Sequence, residues 1–435
     1  MRVLIAPDSF KGTLSAPEAA AAMARGVDRW AATTGTSVEV RTLPVSDGGE
    51  GFAEAMTAAL GGSMHHADLD GPHGERVRAG YGIWAEDGRS VAILEAASVI
   101  GLPLVPAPLR QPRRLTSFPL AGLIRAALRH NPQRIVLGVG GTATMDLGLG
   151  ALEGLGAVPL GHRRSHVHAS VGAIPQLTGF DVRPRSIAEH LATTRALTIA
   201  CDVRNPLLGP TGAARTFGPQ KGASAEDVER LETDFALFAS RMRNAGRETD
   251  PMAAGMGAAG GIPYGFGLAL NAEVRPGFDT LAEAIALDAA LRWADVVMTG
   301  EGTFDQQSLH GKVVGALAER VVASGRLPGW EAALDRKSGE SDETNGDRTG
   351  GRARREAAAN ATPVVVVAGR VAANWASGLA HDDPRRGAIL TVRATPEGIG
   401  DETAFQRAAP LVTEAAEQAM ARAVSAEVDA PGVRQ

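Results

Sequence analysis

Ala294-Asp295-Val296-Val297-Met298, followed by Thr299-Gly300-Glu301-Gly302-Thr303-Phe304-Asp305-Gln306-Gln307-Ser308-Leu309-His310-Gly311-Lys312, is the stretch whose reading decides the fold. The short apolar run predicts a buried strand, the polar glycine-rich segment predicts a loop from Thr299, and Val313–Val322 predicts a helix. Two carboxylates (Glu301, Asp305), a histidine and a lysine therefore gather where the C-terminal end of a strand meets a helix. Open α/β sheets bind their ligands at that edge.

The same strand–loop–helix unit recurs upstream. Arg2–Ala6 predicts a strand that runs into Pro7-Asp8-Ser9-Phe10-Lys11-Gly12-Thr13. Ser15, with Glu18 three positions on, has the spacing of a capping box for a helix over 16–30. Ser37–Val45 predicts a second strand, ending in Ser46-Asp47-Gly48-Gly49-Glu50-Gly51 before a helix to Leu60. Such a βαβα opening argues for a parallel sheet. The pattern then changes: Val77–Trp84 and Ser90–Glu95 flank Glu86-Asp87-Gly88 and predict a hairpin. Helices are expected over 116–129 and 224–243, and strands over 134–139, 196–200, 363–367 and 388–392. The expected architecture is two α/β domains. One is a Rossmann-like parallel sheet, discontinuous in sequence (1–70 plus 286–435), and the other an inserted mixed α/β domain (71–285). Residues 335–360 are polar, rich in glycine and nearly free of large apolar side chains, and read as a disordered surface insertion.

The 435 residues are 44% hydrophobic and 21% charged, a globular composition, with only 4% aromatics, so the cores must rest on Ala, Val, Leu and Ile. A net charge of -5 argues against nucleic acid as the main partner. The one cysteine, Cys201, excludes an intrachain disulfide and points to a cytoplasmic protein. MRVLIAPDSF does not read as a signal peptide, and no window reaches the length of a membrane span. Of 44 basic residues only four are lysine, and Lys11, Lys221 and Lys312 each adjoin a glycine. A compact ammonium suits phosphate as a point charge where the wide fork of arginine does not fit.

Gly138-Val139-Gly140-Gly141-Thr142-Ala143 matches G-x-G-x-x-A, but the acidic residue of a dinucleotide site is missing, because the next apolar run, Ala157–Leu160, ends in Gly161. Two readings stay open: backbone N–H groups at a helix N-terminus that hold an anion, and a tight structural turn. Gly311-Lys312 is not a Walker A loop, since Gln306 and Val313 occupy its glycine and hydroxyl positions. His65-His66 and the histidines over 162–168 lack metal-site spacing. What remains is a set of strand-end loops with carboxylates and lysines: Asp8/Lys11, Asp47/Glu50, Asp202, Lys221 and Glu301/Asp305/Lys312. Phosphoryl transfer uses such parts. Cations neutralise the moving group, while carboxylates hold Mg²⁺ and align the acceptor hydroxyl.

The phrases IAPDSFKGTLSA (Ile5–Ala16), PVSDGGEG (Pro44–Gly51), GVGGTATMD (Gly138–Asp146), ACDVRNPLLGPTGAARTFGPQKGAS (Ala200–Ser224), GAAGG (Gly257–Gly261) and TGEGTFDQQSLHGKV (Thr299–Val313) resemble the bacterial glycerate kinases. The resemblance implies ATP- and Mg²⁺-dependent phosphorylation of D-glycerate, usually to 2-phosphoglycerate, in a cleft between two α/β domains. On that basis Lys11, Asp47, Asp202, Asp305 and Lys312 are expected to be catalytic, with Asp47 and Asp202 on the metal. Ser9, Gly48, Gly49, Gly140, Gly141, Thr142, Lys221 and Glu301 are expected to bind substrate or phosphate. The sequence departs from the family at Phe118-Pro119-Leu120-Ala121-Gly122, which stands where the family usually carries an Arg-Gly-Thr-Gly-Glu run, at Met145 and Leu147, and at Arg370. Two alternatives therefore stay open: a kinase for another small hydroxy acid, and a member that binds ligand with weakened turnover.

Overall fold

The computed structural model describes residues 1–10, 13–46, 51–86, 88–246, 249–305, 308, 313–324, 364–371, 389–395 and 401–428. In chain order they form β1 (Arg2–Ile5), α1 (Ala16–Thr34), β2 (Glu39–Thr42), α2 (Phe52–Leu60), β3 (Ser63–Asp70), β4 (Arg76–Glu86), β5 (Arg89–Glu95), α3 (Ala97–Ile100), α4 (Phe118–Leu128) and β6 (Arg134–Gly138). Next come α5 (Leu149–Leu155), β7 (Ala157–Leu160), β8 (Gly179–Val182), α6 (Ile187–Thr194), β9 (Leu197–Ala200), α7 (Ala213–Phe217), α8 (Ala225–Asn244), α9 (Ile262–Leu270), β10 (Glu273–Arg275) and α10 (Gly277–Ala284). The last elements are α11 (Leu287–Trp293), β11 (Val296–Phe304), α12 (Val313–Ala323), β12 (Val364–Val371), β13 (Ile389–Arg393), α13 (Asp401–Gln406) and α14 (Ala408–Val428). The chain divides into two compact units, Met1–Ser46 with Leu281–Gln435, and Asp47–Thr280. Among the described residues no helix is long and apolar enough to cross a membrane.

The first unit is built on a sheet of order β13-β12-β11-β1-β2, parallel throughout the described residues. The apolar runs of β1, β11 and β12 are buried, as in parallel sheets covered on both faces. Helix α1 starts where expected: the Ser15 hydroxyl and the Glu18 carboxylate form a reciprocal capping box, and Gly35, at φ 67°, ends the helix. Its inner face of Ala19, Ala20, Met23 and Val27 packs against α14. A Cβ at Gly26 would lie 2.4 Å from the Thr413 carbonyl oxygen and 2.7 Å from Ala416 Cβ, so the glycine brings the two helix backbones close. Close backbone approach is how a chain poor in aromatics fills this core.

One expectation needs correcting here. The strand at 296 does not end at Met298. It continues through Thr299, Gly300 and Glu301 to Phe304, pairing with β12 from Thr299↔Val366 to Phe304↔Val371. Composition favours a loop, but the neighbouring strand offers a full hydrogen-bonding edge, and the glycines let it come near. A Cβ on Gly300 would meet the Val367 carbonyl oxygen at 2.2 Å, and one on Gly369 would meet the Gly302 oxygen at 2.6 Å.

The second unit contains a mixed sheet of order β10-β9-β6-β5-β4-β3. The expected hairpin is present as antiparallel β4 and β5, while β5, β6, β9 and β10 run parallel. β3 pairs with β4 from Ser63↔Ile83 to Asp70↔Arg76, and α2 packs on β4 and β5. The first boundary therefore lies at Ser46/Asp47 and not at 70, because the apolar side of this hairpin is covered by the elements that precede it. The second lies at Thr280/Leu281, where 285/286 was expected. β7 pairs with β8 in a separate two-stranded sheet, so Ala157–Leu160 is not the next strand of a dinucleotide fold. The scarce aromatics are concentrated here: Phe180, Phe238 and Tyr264 meet edge to face at 6.2 Å centroid spacings. The expected insertion over 335–360 lies outside the described residues.

Candidate active site

In the first unit the strand order reverses at one point. From β1 the chain leads to β2 on one side, whereas β11 leads to β12 and β13 on the other. A crevice at the C-terminal ends of β1 and β11 follows from that reversal. Ile5 is in register with Met298, and Asp8 and Glu301 stand three residues beyond them, each 8% exposed. The Asp8 N–H donates to the Gly300 carbonyl at 2.9 Å, and Thr299 Oγ1 donates to the Ala6 carbonyl at 2.7 Å, tying the segment that leaves β1 to the middle of β11. Ser9 follows directly, its N–H donating to Asp8 Oδ1 at 2.7 Å. Two expected residues, Ser9 and Glu301, thus lie on the two strands of this edge. Asp8 joins them; its signal in the sequence was an acid placed directly after the first strand. Asp305 lies just past β11 in a reciprocal turn: its N–H donates to Ser308 Oγ at 3.1 Å, and the Ser308 N–H donates to Asp305 Oδ1 at 3.3 Å. Lys11, Asp47, Gly48, Gly49 and Lys312 lie outside the described residues.

In the second unit the ends of β5, β6 and β9 carry the polar groups. Glu95, absent from the sequence expectation, ends β5 beside Gly138 of β6. It is 7% exposed and accepts from the Ala53 N–H, in the first turn of α2, at 3.4 Å. A carboxylate closing an otherwise apolar strand was the available signal. Asp202 follows β9 and accepts from the Phe278 N–H at 3.2 Å, at the start of α10. Its neighbour Cys201 is buried, which pushes the thiol up to about 12, and the Asp202 charge adds to the effect.

The glycine turn after β6 differs from the expected anion-binding helix start. Helix α5 begins only at Leu149, and its first N–H groups are occupied by the protein itself. Asp146 Oδ2 accepts from the Ser117 N–H and hydroxyl, each at 2.8 Å, and from the Gly150 N–H at 3.3 Å, while Oδ1 accepts from the Gly148 N–H at 3.2 Å. Burial raises the Asp146 carboxyl above its ordinary range, and those donors pull it back down. The helix terminus is therefore closed to an external anion, which leaves the tight structural turn as the reading for this part of the motif. Gly140 and Gly141 are the part of the turn that reaches the surface, whereas Thr142 is buried. Lys221, expected to grip phosphate, is 3% exposed. Its ammonium donates to the Thr144 carbonyl at 2.9 Å and to Thr142 Oγ1 at 3.4 Å. Burial lowers it to about 7, while the nearby Asp146 charge acts in the opposite sense. Among the described residues no group of three or more His, Cys, Asp or Glu side chains is arranged to hold a metal ion.

The family model described as "Glycerate kinase family" matches residues 3–327. The chain is 40% identical over 312 residues to a protein named glycerate kinase from Bacillus subtilis (strain 168), covering 72% of this chain and 79% of that one. It is 38% identical over 313 residues to a glycerate 2-kinase from Escherichia coli (strain K12), covering 72% and 80%. A crystal structure of a protein from Salmonella typhimurium LT2, provisionally assigned as glycerate kinase 2, superimposes with a TM-score of 0.74 at 32% identity, covering 98% of this chain and 99% of that one. The strand-end carboxylates, the glycine turn and the sequence likeness over most of the chain lead to one assignment: the chain belongs to the glycerate kinase family.

Proposed function

We propose that this protein transfers the γ-phosphoryl group of ATP to the 2-hydroxyl of D-glycerate, giving 2-phosphoglycerate and ADP. The observation that carries the reading is the pair of buried carboxylates Asp8, three residues past the end of β1, and Glu301, within the neighbouring strand β11, where the strand order reverses. The substrate comes from the relatives named glycerate kinase and glycerate 2-kinase.

Asp8 and Glu301 are hard oxygen donors of the kind Mg²⁺ takes, and Asp47 and Asp202 belong to the same donor class. Mg²⁺ would neutralise charge on the phosphate oxygens. A strand-end carboxylate, with Asp305 as a further candidate, accepts the hydroxyl proton as the acceptor oxygen bonds to the γ-phosphorus. The bond from that phosphorus to the β-bridging oxygen breaks, and ADP leaves with the electron pair. Lys11 and Lys312 bind the glycerate carboxylate or the transferred group. Gly140 and Gly141 offer surface backbone N–H groups to an anionic part of a substrate.

Phosphorus NMR of purified protein with ATP, Mg²⁺ and D-glycerate tests the reading. ATP consumption that requires D-glycerate, with a 2-phosphoglycerate resonance, is the expected result. A 3-phosphoglycerate resonance, or ATP loss independent of glycerate, overturns it. Phe118, 52% exposed at the first position of α4 and next to the Ser117–Asp146 bonds, favours a second reading in which the acceptor is another small hydroxy acid. A panel of hydroxy acids decides between the two.

A further inference from the structure

We infer that Lys221 is a positioning residue: its buried ammonium clamps the turn over 140–147 from beneath, so that Gly140 and Gly141 present their backbone to an anionic group of a bound substrate. The inference rests on the proposed function only in taking that turn to meet a substrate.

The geometry separates a clamp from a ligand contact. At 3% exposure Lys221 presents almost no surface to a bound molecule, and its donors are aimed at the turn. It reaches the Thr144 carbonyl and the Thr142 hydroxyl, 77 and 79 residues away in sequence. The same stretch is pressed from another side by the Gly257–Gly261 segment. Gly260, at φ 68°, accepts from the Leu147 N–H at 3.1 Å, and a Cβ at Gly260 would lie 2.1 Å from the Thr144 oxygen. A third hold comes from the last residue of α3 and from Leu102, two residues on, through Ala143 N–H to Ile100 O and Leu102 N–H to Gly141 O, each at 2.8 Å. Asp146 secures the far end through Ser117, Gly148 and Gly150. Lys221 is itself held in place: it ends the short turn that Pro219 opens, and at the next residue, Gly222 at φ 90°, a Cβ would lie 1.9 Å from the Arg110 oxygen. Burying an ammonium costs free energy, and here a carbonyl, a hydroxyl and a nearby carboxylate offset only part of it. A buried site with two acceptors suits a compact ammonium better than a wide guanidinium fork, which gives one of the chain's four lysines a reason to be there.

The test compares the full-length protein with Lys221→Met, which keeps the length and apolar stem, and Lys221→Gln, which keeps a donor if the methionine variant does not fold. Amide hydrogen exchange over 142–147 and steady-state kinetics are read on the same samples. A clamp predicts faster exchange in that segment, with the KM of one substrate raised about tenfold and kcat within about threefold, the loss of one charge-assisted hydrogen bond from ground-state binding. Unchanged exchange overturns the inference, as does faster exchange with unaltered kinetics. A drop in kcat of two orders of magnitude or more at constant KM also overturns it, since Lys221 would then act on the transferred group. If the wild-type protein turns over no glycerate, the proposed function fails by itself, and exchange over 142–147 still decides whether the clamp exists.

Discussion

Burial sets the chemistry of single residues in this protein more than their type does. Lys221 and Asp146 occupy one network beneath one turn, and desolvation acts on both in the direction that disfavours charge. For Lys221 the consequence for stability has a definite sign. Its folded value is about 7 against an ordinary 10.5. Above pH 7 the native state therefore releases a proton that the unfolded chain keeps, and stability rises with pH. The slope approaches about 1.4 kcal/mol per pH unit at most. The window closes near pH 9, the ordinary value for cysteine, because Cys201 is held up to about 12 when folded and then works in the opposite sense. Urea unfolding at intervals from pH 7 to 9 should show stability rising in the wild type and a flatter profile in Lys221→Met. Parallel profiles would mean that Lys221 keeps its proton throughout. From the sequence, Lys221 was recognisable as unusual, but its role was not, since a phosphate-binding lysine and a buried clamp look the same in a string of residues.

At the scale of elements, β11 teaches the most. A polar, glycine-rich stretch became the second half of a strand because β11 and β12 approach at Gly300 and Gly369 more closely than a side chain there permits. Gly300→Ala should therefore destabilise the protein by about 2–3 kcal/mol, the cost of overpacking at a strand centre. Gly179→Ala, in β8, where a Cβ meets nothing within 4 Å, should change stability by less than about 0.5 kcal/mol. Chemical denaturation of the two variants side by side checks this, and equal effects would show that close approach is not what the glycine supplies. The capping box at Ser15 and Glu18, in contrast, was legible in full, because all its parts lie within four residues.

For the whole molecule, the division at Ser46/Asp47 makes a prediction about fragments. A fragment of residues 47–280 keeps β3 and α2 on the hairpin and contains its own core, so it should unfold cooperatively. A fragment of residues 71–285 leaves α2 and β3 off β4 and β5, exposing buried residues such as Tyr81, Ile93 and Leu94, and should aggregate or melt without a transition. Circular dichroism melts of both fragments test the boundary, and a cooperative melt from the shorter one would move it back toward residue 70.

The sequence by itself determined the family, the α/β class, the hairpin within the second unit, most helix positions and the acids Asp8, Asp202 and Asp305 just past strands. All of these depend on residues close together in the chain or on long unbroken motifs. Only the tertiary structure decided that β11 runs on through Glu301, that Asp8 and Glu301 stand together where the strand order reverses, that Glu95 closes β5, and that Lys221 faces inward. Each of these depends on which distant backbone supplies hydrogen bonds, room or low dielectric. A glycine between two strands and a glycine in a loop differ only in what lies against them, and an ammonium in water and one under a turn differ only in what has displaced the water.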